Sequence, residues 1–103
     1  MIIKQGDAYL IPIALMMNNT SISDKDIEVI EVFFDTVRKT YPGEITYQNG
    51  VLFYPVTQEE TLALQEEKTI YMDVRVKFTN GSCIGVPEKL RVDVADATSL
   101  EVL

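Results

Sequence analysis

Along the chain, hydrophobic and polar positions alternate with period two more often than they recur at intervals of three and four, which is the pattern of strands. The clearest case is "TIYMDVRVKF". Ile70, Met72, Val74, Val76 and Phe78 share one face and Tyr71, Asp73, Arg75 and Lys77 the other, which predicts a half-buried antiparallel strand. The segment "DIEVIEVFFDTVRKTY" supports two readings. Ile27, Ile30, Phe34 and Val37 approximate a helical face that Ser23 or Asp24 would cap. Ile30, Val32 and Phe34 also keep period two, with Glu31 and Asp35 opposite. Its content of Val, Ile, Phe and Thr favours a pleated surface, and a strand is the reading adopted.

Turn signals divide the remainder. Asn49-Gly50 predicts a two-residue type I′ hairpin, which sets Gln48 opposite Val51 and Tyr47 opposite Leu52. Ile45, Tyr47, Leu52 and Tyr54 then lie on one face. Asn80-Gly81 predicts a second hairpin of the same kind, with Phe78 opposite Cys83 and Val76 opposite Gly85. Thr57-Gln58-Glu59-Glu60 fits a capping box opening one helical turn that ends near Leu64. A last strand runs from Lys89 to Val94 with Leu90, Val92 and Val94 inward, and Asn18 to Asp26 reads as a loop.

The N-terminal strands differ in kind. Gly6-Asp7 separates a short strand, Ile2 to Gln5, from a longer one, Ala8 to Met16, that is apolar on both faces. Tyr9, Ile11, Ile13 and Leu15 take one side; Leu10, Pro12, Ala14 and Met16 take the other. Such a strand is either central or covered by a partner. Pro12 donates no ladder hydrogen bond and belongs on an edge. An edge covered by a neighbouring chain satisfies both. The whole reads as a single domain, residues 1–103, of all-β class: an antiparallel β-sandwich of about seven strands with one short helical turn.

Composition narrows the function. The length of 103 residues suits one core. Nine basic against sixteen acidic residues give a net charge of −7, a field that repels phosphate backbones and anionic lipid. Arg38-Lys39 and the pair Arg75 and Lys77 are too few to offset it, so neither nucleic acid nor membrane is an expected partner. The apolar stretch from Ala8 to Met17 follows Asp7 rather than a positive charge and is too short to span a bilayer, so the expected location is the cytoplasm.

Candidate chemistry is sparse. The chain has no histidine, which removes the commonest general base and metal ligand. Its one cysteine, Cys83, is expected on the core face as a small buried hydrophobe. The acidic pairs Glu59-Glu60 and Glu66-Glu67 flank the capped turn, where exposed charge is expected. Asp24, Asp26 and Glu28 alternate as in calcium loops but lack the turn glycine and the distal bidentate Glu. Pro42-Gly43 and Gly81 to Gly85 have no following helix to hold a phosphate. Tyr41, Tyr47, Tyr54 and Tyr71 suggest either a sugar-stacking platform or packing between layers, and packing is the commoner use. No enzyme activity, cofactor or metal is expected.

"QGD" at 5–7, "VTQEET" at 56–61 and "DVRVKF" at 73–78, followed by a hairpin glycine, lie in the order found in small immunoglobulin-like proteins of phages and prophages of Gram-positive bacteria. The chain resembles these over nearly its whole length and is similar, more distantly, to the N-terminal domain of the phage baseplate upper protein. The resemblance implies an immunoglobulin-like fold. It further implies a structural or assembly role in a particle, with no catalytic residues. Baseplate upper proteins carry further domains, so a chain of this length points to a small virion component. The expected partners are copies of itself or other virion structural proteins, docking through Tyr9, Ile11 and Ile13 and through the tail residues Leu100, Val102 and Leu103. The tail alternatively folds back on its own domain. The competing function is a stand-alone binding module for carbohydrate or a host protein.

Overall fold

The computed structural model describes residues 1–65 and 68–103, and it is mostly β. Its strands are β1 (Ile2–Lys4), β2 (Tyr9–Ala14), β3 (Met16–Met17), β4 (Thr20–Ser21), β5 (Ile27–Phe34), β6 (Val37–Tyr41), β7 (Thr46–Gln48), β8 (Val51–Val56), β9 (Thr69–Phe78), β10 (Cys83–Gly85) and β11 (Leu90–Ala95). A 3-10 turn at Asp24–Asp26 precedes β5, and the short helix α1 (Gln58–Leu62) joins β8 to β9. The larger sheet has the order β1-β11-β9-β5-β6, with β10 also on β9. The smaller has the order β2-β8-β7, and β3 pairs with β4 alone.

One core joins the two sheets. Ile30, Val32 and Phe34 of β5 and Ile70, Met72, Val74 and Val76 of β9 meet Ile11 of β2 and Leu52, Tyr54 and Val56 of β8. Phe34 stacks on Tyr54 across the layers, with ring centroids 5.8 Å apart. Period two therefore decides the ambiguous segment: residues 27–34 are a strand. Glu28 sits at an irregularity between Ile27 and Val29, which brings Val29 opposite Lys77 and Ile30 opposite Val76.

The Asn49-Gly50 hairpin has the expected geometry. Both residues lie in the left-handed region, at φ 51° and 80°, and Gln48 faces Val51 while Tyr47 faces Leu52. The capping box is also present, with the Thr57 side chain on the Glu60 amide and the Glu60 carboxylate on the Thr57 amide.

Four expectations are corrected. At Asn80-Gly81 only the glycine has positive φ, 91°; the Gly81 amide bonds the Phe78 carbonyl and the Phe78 amide bonds Ser82. This is a three-residue loop ending in a left-handed glycine, not a two-residue turn. The register moves by one, Cys83 faces Lys77, and the thiol is exposed rather than buried. The sheets are not wholly antiparallel, because β1 runs parallel to β11, with Ile3 beside Val94. That pairing carries Ile3 into the core, which its short strand does not reach alone. Leu90 is turned to the core side opposite Met72 but is 37% exposed, since β1 flanks β11 only from Asp93 to Ala95 and leaves its start uncovered. Short elements add to these: β6 follows a tight turn at Asp35 (φ 55°), and β3-β4, within the expected loop, closes on Asn18-Asn19 at φ 52° and 61°. Among the described residues there are thus eleven strands where about seven are expected, the extra ones being two to five residues long. The Glu66-Glu67 pair lies outside the described residues.

Two of the quoted motifs pack into one corner. The Gly6 amide donates to the Thr61 hydroxyl at 3.0 Å, and that hydroxyl donates to the Asp7 carbonyl at 2.8 Å. The Gln5 side chain donates to the Leu64 carbonyl at 2.9 Å. Thr61 is fully buried, so "QGD" and "VTQEET" are tied through a buried hydroxyl.

Candidate docking face

Strand β8 places alternate residues on opposite faces. Leu52, Tyr54 and Val56 are buried in the core, so Val51, Phe53 and Pro55 point away from it and are half-buried. Register extends this outer face to both neighbours. Leu10 lies beside Pro55, Pro12 beside Phe53, and Ala14 beside Val51; on the other flank Thr46 adjoins Phe53 and Gln48 adjoins Val51. Leu10, Pro12, Ala14, Thr46 and Gln48 are all exposed, Leu10 at 56%. None of these side chains is charged, and most are apolar.

The outer face of the larger sheet carries Phe33 and the exposed Tyr71 but is otherwise rich in charge. Glu31 bridges Arg38 and Arg75, each at 2.7 Å, Arg91 meets Asp93 at 3.0 Å, and Lys77 meets Glu28 at 3.4 Å. Hydrogen bonds from Arg38 and Arg75 hold the Glu31 carboxyl below its usual range. Exposed pairs of this type contribute little to stability. They do keep that face wetted.

Of the expected docking residues, Ile11 is fully buried in the chain's own core and Ile13 is packed against it, so neither is available. Tyr9, at the strand's start, is 41% exposed. The exposed alternate set of β2 is Leu10, Pro12 and Ala14. Leu100, Val102 and Leu103 are exposed, at 61%, 53% and 101%. The Leu103 amide donates to the Gln58 side chain at 2.9 Å, so the tail turns back toward α1 without burying its apolar side chains.

The four tyrosines do not make a platform. The Tyr54 hydroxyl donates to the Val37 carbonyl at 3.0 Å and the Tyr47 hydroxyl to the Ile22 carbonyl, both rings being buried. Burial pushes both phenols up, Tyr54 the further. Tyr41 packs edge-on against Tyr47, and Tyr71 stands apart, exposed, on the larger sheet. Lys39 is directed between the sheets, with its ammonium 5.0 Å from the Tyr54 ring centroid and 2.9 Å from the Glu60 carboxylate. Among the described residues no group of three or more His, Cys, Asp or Glu side chains is placed to hold a metal ion. No helix there is long and apolar enough to cross a membrane.

An open groove of about 540 Å³ runs between the β3-β4 hairpin and the β9-β10 hairpin, lined by Met17, Ser21, Phe78 and Asn80 among others. Its polar groups are hydroxyls, amides and the Asp26 carboxylate, with no pair of ionisable groups set for proton transfer. Comparison of the chain with protein families, with curated proteins and with solved structures finds no match.

Proposed function

We propose that this chain is a non-enzymatic structural domain that works by docking, as a component of a phage or prophage-derived particle. The observation that carries the docking role is the uncharged outer face of β2, β8 and β7, centred on Phe53, on a protein of net charge −7. A face left apolar while the opposite one is laced with ion pairs is suited to being covered. The exposed tail residues Leu100, Val102 and Leu103 are a second element available for docking.

The fold is proposed to be an immunoglobulin-like sandwich. The order β11-β9-β5-β6 opposite β2-β8-β7 resembles the GFCC′ and BED arrangement of such domains, which supports that reading. The particle role rests on the "QGD", "VTQEET" and "DVRVKF" resemblance. The first two motifs build a buried corner, as expected of motifs that specify a scaffold.

The test is retention of purified virion structural proteins on immobilised chain. Wild type and an Arg75→Ala control are expected to retain the same proteins, and Phe53→Asp to lose them. Equal retention by Phe53→Asp and wild type removes the face from the proposal.

A further inference from the structure

We propose that the outer face of the larger sheet carries a binding site for a neutral oligosaccharide, centred on Asp73 between Phe33 and Tyr71; it adds to the docking role and does not rest on it. Asp73 faces Phe33 across β9 and β5, and Tyr71 lies two residues along the same face of β9. Asp is disfavoured within a strand, and an aromatic partner neither donates a hydrogen bond to it nor neutralises its charge. The other carboxylates on the strands of this face are engaged: Glu31 by Arg38 and Arg75, Glu28 by Lys77, and Asp93 by Arg91 and the Thr69 hydroxyl. The half-buried Asp73 carboxylate has no such partner among the described residues. Its oxygens are acceptors left open beside two rings.

Strand pairing hollows the face at this point. On the flank of β9 away from β5, β11 pairs with Thr69 to Met72 and β10 with Arg75 to Lys77. Neither pairs with Asp73 or Val74, and the Val74 carbonyl is met there by the Val86 amide at 2.9 Å. Two hollows adjoin as a result. One, of about 350 Å³, holds Tyr71 and Lys89; the other, of about 310 Å³, holds Glu31 and Arg75; Phe33 and Asp73 line both. From Tyr71 to Arg75 the strand runs about 13 Å, a length suited to linked sugar rings rather than to a single one.

Charge selects a ligand without net charge. Arg75 and Lys89 stand at the two ends and oppose a cation, while Asp73, Glu31 and the net charge of −7 oppose an anion. A neutral ligand rich in hydroxyls meets neither obstacle. Its O–H groups donate to the Asp73 carboxylate, and bonds to an ionised acceptor are the strong ones. The C–H face of a sugar ring packs on the apolar body of Tyr71, which is 49% exposed. Lys89 and Arg75 supply donors to the ligand's oxygens at either end.

Shape fixes the expected strength. Both hollows are open, so much of a bound ligand stays wet and a trisaccharide binds with a Kd of about 0.1–10 mM. Such affinity becomes effective where many copies present the face together. The same reading makes Asp73 a residue kept at the expense of the strand. Val favours a pleated surface, so Asp73→Val removes the acceptors while leaving stability unchanged or higher.

Titration of the isotope-labelled full chain with cellotriose, maltotriose and chitotriose up to about 20 mM, followed by amide chemical shifts, tests this. The expected result is saturable shifts with one or more of these sugars at the amides of Phe33, Tyr71, Asp73 and Lys89. Tyr71→Ala and Asp73→Val are expected to weaken binding at least about tenfold, and Glu59→Gln, exposed on α1, to leave it unchanged. Urea unfolding is expected to find Asp73→Val at least as stable as wild type, which separates loss of binding from loss of fold. Tyr71→Ala, at an exposed ring, carries the test if Asp73→Val unfolds. Absence of saturable shifts with all of these sugars overturns the site, as do shifts that lie elsewhere or that survive both substitutions. Tetramethylammonium chloride probes the site as a cation cage, and saturation by it in place of the sugars overturns the neutral-ligand assignment.

Discussion

Phe53 and Tyr54 are neighbours in β8 and lie on opposite faces. Tyr54 is fully buried against Phe34, and Phe53 is half-exposed on the outer surface beside Pro12. The consequences of altering them should therefore separate. Tyr54→Phe removes the bond to the Val37 carbonyl, for a loss of about 1 kcal/mol, and Tyr54→Ala leaves a cavity at a cost of about 3–5 kcal/mol. Phe53→Ser should stay within about 1 kcal/mol of wild type. Urea unfolding measures all three; a Phe53→Ser loss equal to that of Tyr54→Ala would place Phe53 in the core.

Thr61 should resist an apolar replacement although it is buried. Thr61→Val keeps the shape but leaves the Gly6 amide and Asp7 carbonyl unpaired, an expected loss of about 1–3 kcal/mol. Thr61→Ser retains the hydroxyl and should lose less. Equal losses in denaturant melts would deny the hydroxyl its role in the corner.

The acid limb of stability should depend on Glu60. Burial pushes its carboxyl up, but hydrogen bonds from Lys39 and from the Thr57 amide outweigh this and hold it below the usual range. A folded value below the unfolded one stabilises fully above the unfolded value, about 4.3, and that stabilisation is lost as pH falls through the lower folded value. Glu60→Gln should therefore be less stable than wild type at pH about 7, with the gap closing below pH about 4. Melts across this range check it, and a gap independent of pH would refute the coupling.

Gly50 and Gly81 both have positive φ, at 80° and 91°, yet they should not tolerate alanine equally. A Cβ at Gly50 would lie 2.6 Å from the Ser21 Cβ, whereas at Gly81 it meets nothing within 4 Å. Both changes carry the backbone strain of about 1 kcal/mol, and Gly50→Ala adds displacement of the β3-β4 hairpin. Thermal unfolding should rank Gly50→Ala as the more damaging. The reverse order would contradict the contact.

Truncation after Ala97 should leave stability nearly unchanged. The removed segment exposes Leu100, Val102 and Leu103 and holds the domain by a surface bond to Gln58. An expected change is within about 0.5 kcal/mol. Urea unfolding of the full and truncated chains checks it; a larger loss would show that the tail supports the domain.

Local pattern carried much of this structure. Period two in Ile70 to Phe78 and in Ile30 to Phe34, the type I′ turn at Asn49-Gly50 and the capping box at Thr57 each depend on neighbours within a few residues. The second Asn-Gly pair shows the limit of that logic. The same dipeptide closes a three-residue loop at Gly81, and one residue of register moved Cys83 from the core to the surface.

The candidate face was half legible. The Asn49-Gly50 register alone implies that Val51, Phe53 and Pro55 oppose the buried set, and none of them is charged. Strand β2 was recognised as apolar on both sides and, through Pro12, as an edge. What local pattern could not supply is which side of β2 the core takes, because both sides satisfy it equally. That choice follows from pairing β2 with β8 about forty residues away, a contact whose closure entropy is repaid only by the assembled core. The sequence by itself determined the longer strands, the Asn49-Gly50 turn and the capped start of α1, since these are properties of adjacent residues. Only the tertiary structure decided that Ile11 is buried and Leu10, Pro12 and Ala14 join Phe53 on an uncharged surface, because burial belongs to the packing of layers.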